Sequence, residues 1–516
     1  MPLSCLGFAA SFGLIGTVAL TAHSQVAASE FLRQGVSSQD YLLQQGENLQ
    51  AILAESEQLL NQSVRISLED VIRKTIINNP QIAKALALVQ AKKSRVAAEK
   101  RKWNPTLKFS RTSENPILGK QMSTYIQSDD NYKDFEYANF TNVNEAFVAA
   151  RLKWNFLDPV RYSSINRSIS LLQSQELLLS ILCRSLVLEA QMVYAKLVEN
   201  QNLINTYSSI YKKNRFELEA ILGQFNGGII SLGDVAQQKT LLLNQLNELL
   251  SLVALQIELA SELAVLTGMP PGSSALPSQQ QIHSEEWSLS LEETIEEGLR
   301  LREEIQLALS DSKAADWQAQ TMLNKYLPVL SLSVNGYGNY SDGLFGADIA
   351  NSSSQDRGFV QATDLSIGLG LTWTPFDGGS YLASSNAFKD QAKADLLAAN
   401  FHRDRVGRQI RGSYGEYLTA KAALAKAVQG LKIASLSVDI ASERYSAGIG
   451  SVTTVVQATE MYGRAALILS KTRVSYFDSI AKLYRYSGQW PSAYKQAIID
   501  GLSSLKVSSR DMGAVF

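Results

Sequence analysis

The stretch LSIGLGLTWTPFDGG, residues 365–379, decides the fold. Leu365, Ile367, Leu369, Leu371 and Trp373 alternate with Ser366, Gly368, Gly370, Thr372 and Thr374, which gives a strand one apolar face and one small, polar face. About ten such residues, closed by an aromatic, span a bilayer's hydrocarbon layer as a tilted barrel strand. After Asp377-Gly378-Gly379 the pattern turns into an Ala/Leu-rich helix with no proline before Gly448-Ile449-Gly450. The 74 residues from Asp377 to Ser451 make roughly 110 Å of helix at about 1.5 Å per residue.

An internal repeat orders the rest of the 516 residues. ISLED at 66–70 returns as LSLEE at 289–293, an offset of 223 that also carries Ile82 onto Ile305 and Pro105-Thr106-Leu107 onto Pro328-Val329-Leu330. Trp154 and Asp158 pair with Trp373 and Asp377 at an offset of 219. Gly228, Ser231, Val235, Gln237 and Gly268 pair with Gly448, Ser451, Val455, Gln457 and Gly488 at 220. The reading is one unit, duplicated: 66–268 and 289–488, joined by a linker at 269–288.

Each unit begins with a helix, broken in the first half at Asn78-Asn79-Pro80, where Asn79 can cap and Pro80 can open the next helix. Proline then opens a strand (NPTLKFS, LPVLSLS), and Leu330, Leu332 and Val334 alternate with Ser331, Ser333 and Asn335. Polar loops are expected at 115–145 and 341–363. In the returning strand of the first half, Leu152 and Trp154 lie on the apolar face and Arg151 and Lys153 on the other, where lipid would not tolerate them. The expected lipid-facing set is Leu152, Trp154, Leu330, Leu332, Leu369, Leu371 and Trp373, with Arg151 and Lys153 facing a lumen. A half-buried strand of a soluble sheet is the alternative.

The arm from Asp158 to Ser231 spans 73 residues, close to the combined length of the Pro80–Asn104 and Ser231–Gly268 helices. Two short helices placed end to end could therefore run antiparallel beside one long helix, with leucine clusters such as Leu177, Leu178, Ile181, Leu182 and Leu186 as coiled-coil seams. A solitary coiled-coil rod would leave the strands without a use. Four strands cannot close a membrane barrel alone. Three copies would give 12 strands around an axis, although the number three does not follow from the sequence.

Composition adds limits. A chain with 48 Lys+Arg against 49 Asp+Glu, net −1, gives no argument for nucleic acid. Residues 1–28 resemble a secretory signal with an apolar core from Leu6 to Leu20 and small residues at Val26-Ala27-Ala28, an uncleaved anchor being the alternative. Residues 29–65 read as a polar extension with a modest helix, and 489–516 as a C-terminal tail. No later run of 18 uncharged apolar residues suggests a membrane helix. Cys183, in a leucine-rich helix, reads as a buried thiol. His23, His283 and His402 are scattered, and no HExxH, Walker or CxxC pattern occurs. No enzyme, cofactor or metal is therefore expected.

The order of signal, NNP-started helix (IINNPQIAKALALVQAKKSRV), strand hairpin and long helix, with a turn reading YSAGIGSV, resembles the TolC-type outer-membrane efflux proteins over residues 66–488. The resemblance implies an α+β membrane protein: a homotrimer whose shared 12-stranded transmembrane β-barrel, four strands per chain, continues into a periplasmic α-helical coiled-coil barrel. It implies an exit duct in a Gram-negative-type outer membrane, serving a tripartite efflux or type I secretion system. The expected partners are a periplasmic adaptor (membrane fusion) protein and an inner-membrane pump of RND or ABC type. The cargo would be drugs, small molecules or polypeptides. A non-conducting periplasmic scaffold or adaptor-type protein is the alternative.

The resemblance places the tunnel tip, for docking and gating, on Phe225, Gly228, Ser231, Asp234, Tyr445, Gly448, Gly450, Ser451, Thr454 and Gln457. Asp234 and Tyr445 match positions that build closing bonds between neighbouring hairpins. Gly450 stands where the family has an arginine. Thr454 and Gln457 stand where the family can place a ring of carboxylates, so an acidic, cation-binding ring is not expected here.

Overall fold

The computed structural model describes residues 63–109, 118–128, 136–282, 285–349 and 352–504. The signal reading, most of the polar extension, His283 and the last residues of the tail lie outside them. The described chain falls into two compact units. One takes in residues up to Ile82, Cys183–Leu301 and those from Arg408; the other is Ala83–Leu182 with Arg302–Gly407.

In chain order the elements are β1 (Val64–Ile66), α1 (Leu68–Asn78), α2 (Pro80–Arg101), β2 (Thr106–Phe109), β3 (Leu118–Ser128), β4 (Glu136–Leu157), α3 (Pro159–Asn226) and α4 (Leu232–Leu266). There follow β5 (Ala275–Pro277), α5 (Leu291–Leu301), α6 (Glu303–Asn324), β6 (Val329–Ile349), β7 (Ser352–Thr372), α7 (Ser380–Ser446), α8 (Val452–Ser487) and α9 (Lys495–Ser504).

The second unit holds an antiparallel sheet in the order β2, β4, β6, β7, with β3 pairing the same edge of β4 as β2. The strands run well past the expected loops: β4, β6 and β7 have 22, 21 and 21 residues. The polar segments expected as loops at 115–145 and 341–363 are thus largely ladder, with β3 pairing β4 from Leu118↔Ala146 to Ser128↔Glu136. Asn, Ser and Asp are poor strand formers in isolation, but continuous cross-strand hydrogen bonding satisfies their backbone wherever a neighbour is in register.

Beside this sheet, α3 and α6 run antiparallel, joined through small polar side chains. Asn324 donates to the Pro159 carbonyl (3.0 Å), Thr321 to Ser163 (3.0 Å), Ser310 to the Ser170 carbonyl (3.0 Å), Ser174 to Asp311 (2.6 Å) and Ser180 to Glu303 (3.0 Å). The sequence reading placed the Pro80–Asn104 helix beside this segment of α3 and did not foresee the seam with α6, where serines rather than leucines meet and a hydroxyl needs a partner wherever it is buried.

In the first unit α4 returns antiparallel along α3, as expected for the Ser231–Gly268 helix. Asn200 donates to the Leu252 carbonyl at 2.8 Å and Asn214 to Gln245 at 2.7 Å. Leucines and aromatics close the seam in clusters such as Leu203, Tyr207, Leu249, Leu252 and Ala466. Cys183 is buried. Both α3 and α4 are long and apolar enough to cross a membrane by length and composition, with half of each apolar window buried in the chain. A seam helix, with apolar residues on its packed stripe and charges elsewhere, can reach that length and hydropathy while packing within a protein.

The segments read as linker and tail carry elements of their own. In the linker, β5 pairs in parallel with β1, and Trp287 is buried against Tyr417, Ile480 and Leu483. In the tail, α9 lies on α1, where a Cβ on Gly501 would stand 3.1 Å from Ile76.

Positions related by the sequence offsets share local geometry. Ser67 accepts from the amide of Asp70, and Ser290 from that of Glu293. The break between α1 and α2 at Asn79 (φ −65°, ψ 125°) recurs between α5 and α6 at Arg302 (φ −65°, ψ 124°). After α4, Gly268 (φ +69°) fits against Asn78; after α8, Gly488 (φ +76°) fits against Leu301. Trp154 donates its indole N–H to the Trp103 carbonyl (2.8 Å), and Trp373 does the same to Tyr326 (2.9 Å).

Candidate functional site

Two regions carry the expected functional residues, one in each unit. In the sheet, register sorts the side chains into rows. Leu107, Leu152, Val334 and Ile367 stand side by side across four strands. The next row toward the helices is Trp154, Leu332 and Leu369, and Leu157, Leu330 and Leu371 follow. Every expected lipid-facing residue within the strands falls on this one face, and Trp373 extends it just beyond β7. On β7 the face is bare: Leu365, Ile367, Leu369 and Leu371 are 73%, 70%, 79% and 64% exposed. A contiguous stripe of exposed leucine and isoleucine marks a surface suited to an apolar partner.

The opposite face is polar. Arg151 lies in register with Lys108, Asn335 and, across β6, Ser366; Lys153 lies with Thr106, Ser333 and Gly368. Arg151 donates Nε–H to the Asn335 side-chain oxygen at 2.7 Å. Sequence reading had missed Lys108, which a third K/R position alternating with Leu107 and Phe109 could have signalled.

Aromatics bound the apolar face. Trp154 and Trp373 are pinned at its helix end, and Tyr340 and Phe359 stack at 6.2 Å farther along. From Trp373 to the level of Tyr340, which pairs with Gln361, is 12 residues. That is about 40 Å along a strand, or about 28 Å once the strand tilts near 45°. Beyond Tyr340, on the same face, Arg357 reaches Asp342 at 3.9 Å, a charge pair suited to water rather than hydrocarbon.

Where strand meets helix, Asp377 accepts from the Tyr326 hydroxyl (2.7 Å) and from the amides of Gly379 (3.0 Å) and Tyr381 (2.7 Å). Desolvation opposes its ionisation, but these bonds outweigh it and hold the carboxyl below its ordinary value. The glycines at 378 and 379, φ +72° and +84°, let the chain turn from strand into α7.

In the first unit, the two helical turns are built alike. Gly228 (φ +72°) and Gly448 (φ +74°) close helices in the left-handed region. The amides of Ile229 and Ile449 return to the carbonyls of Gln224 and Arg444, both at 3.0 Å, the six-to-one bond of a Schellman turn. Ser231 then caps α4, its hydroxyl accepting from the Asp234 amide while the Asp234 carboxylate accepts from the Ser231 amide at 3.2 Å. Ser451 caps α8, and Thr454 takes the place of the carboxylate. Gly450 leaves little room: a Cβ there would sit 2.9 Å from the Tyr445 nitrogen. An arginine at this position would displace backbone.

Around the turns Phe225 and Tyr445 pack on a core of Ile221, Val235, Leu241, Val452 and Val456. Polar links tie α3 to α7: Lys213 to Asp439 (3.7 Å), Ser442 to Glu217 (3.3 Å), and the Tyr445 hydroxyl donating to Gln224 (2.8 Å). Thr453 of α8 donates to Gln237 of α4 at 3.0 Å. Burial first, then the negative charges of Asp234 and Glu217, raise the Tyr445 phenol above its ordinary value, so it remains a donor. Thr454 and Gln457 are exposed and neutral. Sequence reading missed Gln224 and Gln237 as partners, and Ile229 and Ile449, which are 75% and 70% exposed at the two turns. The pair 229 and 449, at the same offset of 220, was the available signal.

The comparisons agree with this geometry. Residues 294–489 match the family described as "Outer membrane efflux protein". No curated protein matches the chain. Among solved structures, the CmeC outer membrane channel of Campylobacter jejuni is similar at a TM-score of 0.67 and 16% identity, covering 84% of this chain and 89% of that one. The outer-membrane channel OprN is similar at 0.64 and 17%, over 82% and 90%. The outer membrane protein VceC of Vibrio cholerae is similar at 0.61 and 16%, over 82% and 96%. Through residues 294–489 the chain carries the pattern of the outer membrane efflux protein family, and its described residues have the fold of the outer-membrane channels it resembles.

Proposed function

We propose that the chain is a homotrimeric exit duct of the outer membrane, its sheet in the bilayer and its helices in the periplasm. The observation that carries the reading is the two-faced sheet. One face is apolar over about 28 Å between aromatic levels, which matches a hydrocarbon layer, and the other holds Lys108, Arg151 and Lys153. Lipid on one side and water on the other satisfies both.

Among the described residues the outer edges of β7 and of β2 and β3 have no strand partner. Such edges are not tolerated in lipid, so each must pair with another copy. Four strand positions per chain, counting β2 and β3 as one, give 12 in a trimer, a size at which a barrel is wide enough to hold water. The matched geometry at Asn79 and Arg302, Gly268 and Gly488, and Trp154 and Trp373 supports a duplicated unit, 66–268 and 289–488, which lets the pseudo-repeated chain line a closed ring evenly.

The turns at Gly228 and Gly448 form the tunnel tip that docks a periplasmic adaptor and, through it, an inner-membrane pump of RND or ABC type. Drugs, small molecules or polypeptides are the cargo classes of such systems. The duct carries out no chemistry of its own, and energy comes from the pump.

The test is the light-scattering mass of the detergent-extracted protein, corrected for bound detergent, followed by single-channel recording. Three chains with discrete conductance are expected. A monomer soluble without detergent overturns the duct and leaves a periplasmic scaffold.

A further inference from the structure

The polar face of the sheet holds a charge pattern that the duct itself does not require. Lys108 and Arg151 are register partners, and Lys153 lies one row nearer the helices, so the three cations sit together on neighbouring strands. All three are exposed, and among the described residues none forms an ion pair; the one bond of Arg151 is to the neutral Asn335. The remaining positions in these rows are Thr106, Ser333, Ser366 and Gly368, and in the next row toward the helices Ser331 faces Gly370. No bulky side chain in these rows stands between the cations and the water of a pore.

Acids on this face lie farther out. Asp364 pairs with Tyr337 one row beyond Arg151, two strands away from it. Glu145 pairs with Ser341, three rows beyond Arg151. At about 6.8 Å per row, Glu145 is some 20 Å away, more than two Debye lengths at physiological salt. The positive charge is therefore concentrated at the end of the strands nearest the helices.

We propose that in the assembled barrel these residues form a cationic belt that makes the pore anion-selective, so that the solutes it favours carry carboxylate, sulfate or phosphate groups. This rests on the reading of the chain as a conducting trimer. Three copies bring nine cations to two adjacent levels, against three Asp364 carboxylates. A belt of one sign in a low-dielectric wall raises the local concentration of the opposite ion.

The experiment is the reversal potential of the full-length protein in a planar bilayer under a potassium chloride gradient. If the wild type passes no current, the same reading is taken on Tyr445→Phe, which lacks the hydroxyl that links to Gln224. Chloride is expected to be favoured over potassium by about threefold. Lys153→Glu and Lys108→Glu, each changing the trimer by six charges, should abolish or invert the preference, whereas Lys153→Arg should keep it. These side chains face water, so the variants should extract as the wild type does. A channel that favours potassium, or one whose selectivity ignores Lys153→Glu, overturns the belt and leaves the duct intact. Absence of channels in both wild type and Tyr445→Phe overturns the duct and the belt with it.

Discussion

Four glycines at the helix ends of this chain share one backbone conformation, yet they should differ sharply in what a methyl group does to them. Gly228, Gly268, Gly448 and Gly488 have φ of +72°, +69°, +74° and +76°. Alanine costs about 1 kcal/mol at any of them, because Cβ crowds the carbonyl in the left-handed region. At Gly228 and Gly448 nothing lies within 4 Å of the added Cβ, so that is the whole expected cost. At Gly268 the Cβ would stand 2.3 Å from the Asn78 oxygen and 2.6 Å from its carbonyl carbon. These are backbone atoms, held in place by the neighbouring Asn79, whose side-chain Nδ2 donates to the Leu266 carbonyl at 3.0 Å, so they cannot swing aside.

Overpacking of this kind adds about 2 kcal/mol or more, for a total near 3 kcal/mol at Gly268. Gly488→Ala should fall between, since its nearest contact is the Leu301 Cβ at 2.8 Å. The assay is loss of helical circular dichroism on heating in detergent, at one protein concentration and scan rate. At roughly 2 cal/mol/K per residue, the expected drop is about 3 °C for Gly268→Ala against about 1 °C for Gly228→Ala. Equal shifts at the four positions would refute the argument that the ends of α4 and α8 are clamped against the residue before each helix break.

The tip, the barrel face and a buried acid give further tests. Tyr445→Phe removes the 2.8 Å bond to Gln224 and should cost about 1 kcal/mol, read as a higher open probability in single-channel records; an unchanged probability would remove that bond from gating. Leu369→Lys, on the apolar face, should cost about 2–4 kcal/mol and reduce barrel recovered from outer-membrane fractions, while Ser366→Lys on the other face should leave recovery near wild type. Burial raises the Asp478 carboxyl from 3.8 to about 6, helped by Glu416 and opposed by Lys196 and Lys482, and its Oδ1 has no hydrogen-bond partner among the described residues. The folded chain then holds this proton more tightly than the unfolded one, so the group's favourable contribution is full below pH 3.8 and is lost as pH rises through 6. Asp478→Asn should therefore raise stability by about 3 kcal/mol at pH 7.5 and little at pH 4, and an equal gain at both values would argue against a buried carboxylate.

Much of this molecule is legible because its environment imposes a short period on the residues. Leu365 to Trp373 alternate because the two sides of a strand point into different surroundings, here an apolar face and a face of serine, glycine and threonine. The turns are legible because a left-handed residue followed by a capping serine leaves few choices, and both turns make the same choices: Gly228 with Ser231, Gly448 with Ser451. What stayed hidden has no such local demand. The upper parts of β6 and β7, such as NGYGNYSDG and SSSQDRG, satisfy their backbones by pairing with each other, and β6 also with the distant β4, while their composition alone reads as loop. The serine seam between α3 and α6 was hidden for a related reason. Ser163, Ser170 and Ser174 gain their meaning from Thr321, Ser310 and Asp311, more than 130 residues later.

The helix breaks show where legibility ends. Asn79 and Arg302 hold almost identical backbone angles, yet only the first looked like a break. At Asn79 the local chemistry demands it: proline follows, disfavouring helix for the residue before it, and the Asn79 side chain caps by accepting from the Gln81 amide at 2.8 Å. At Arg302 glutamate follows, and nothing local interrupts LEETIEEGLRLREEIQLALS. There the interruption is held from elsewhere. The Arg302 guanidinium grips Glu304 with two bonds of 2.8 and 3.0 Å, Glu303 is buried and accepts from Ser180, and Leu301 is covered by Gly488. Propensity would run one helix through this point, and tertiary contacts override it. A break that recurs with the same angles but different residues is thus a requirement of the fold at that position, met once by a proline and once by an arginine fork. The second solution depends on partners that the first does not need, so Arg302→Ala should straighten or loosen its junction. Asn79→Ala, with Pro80 still in place, should keep its bend and lose only the hydrogen bonds.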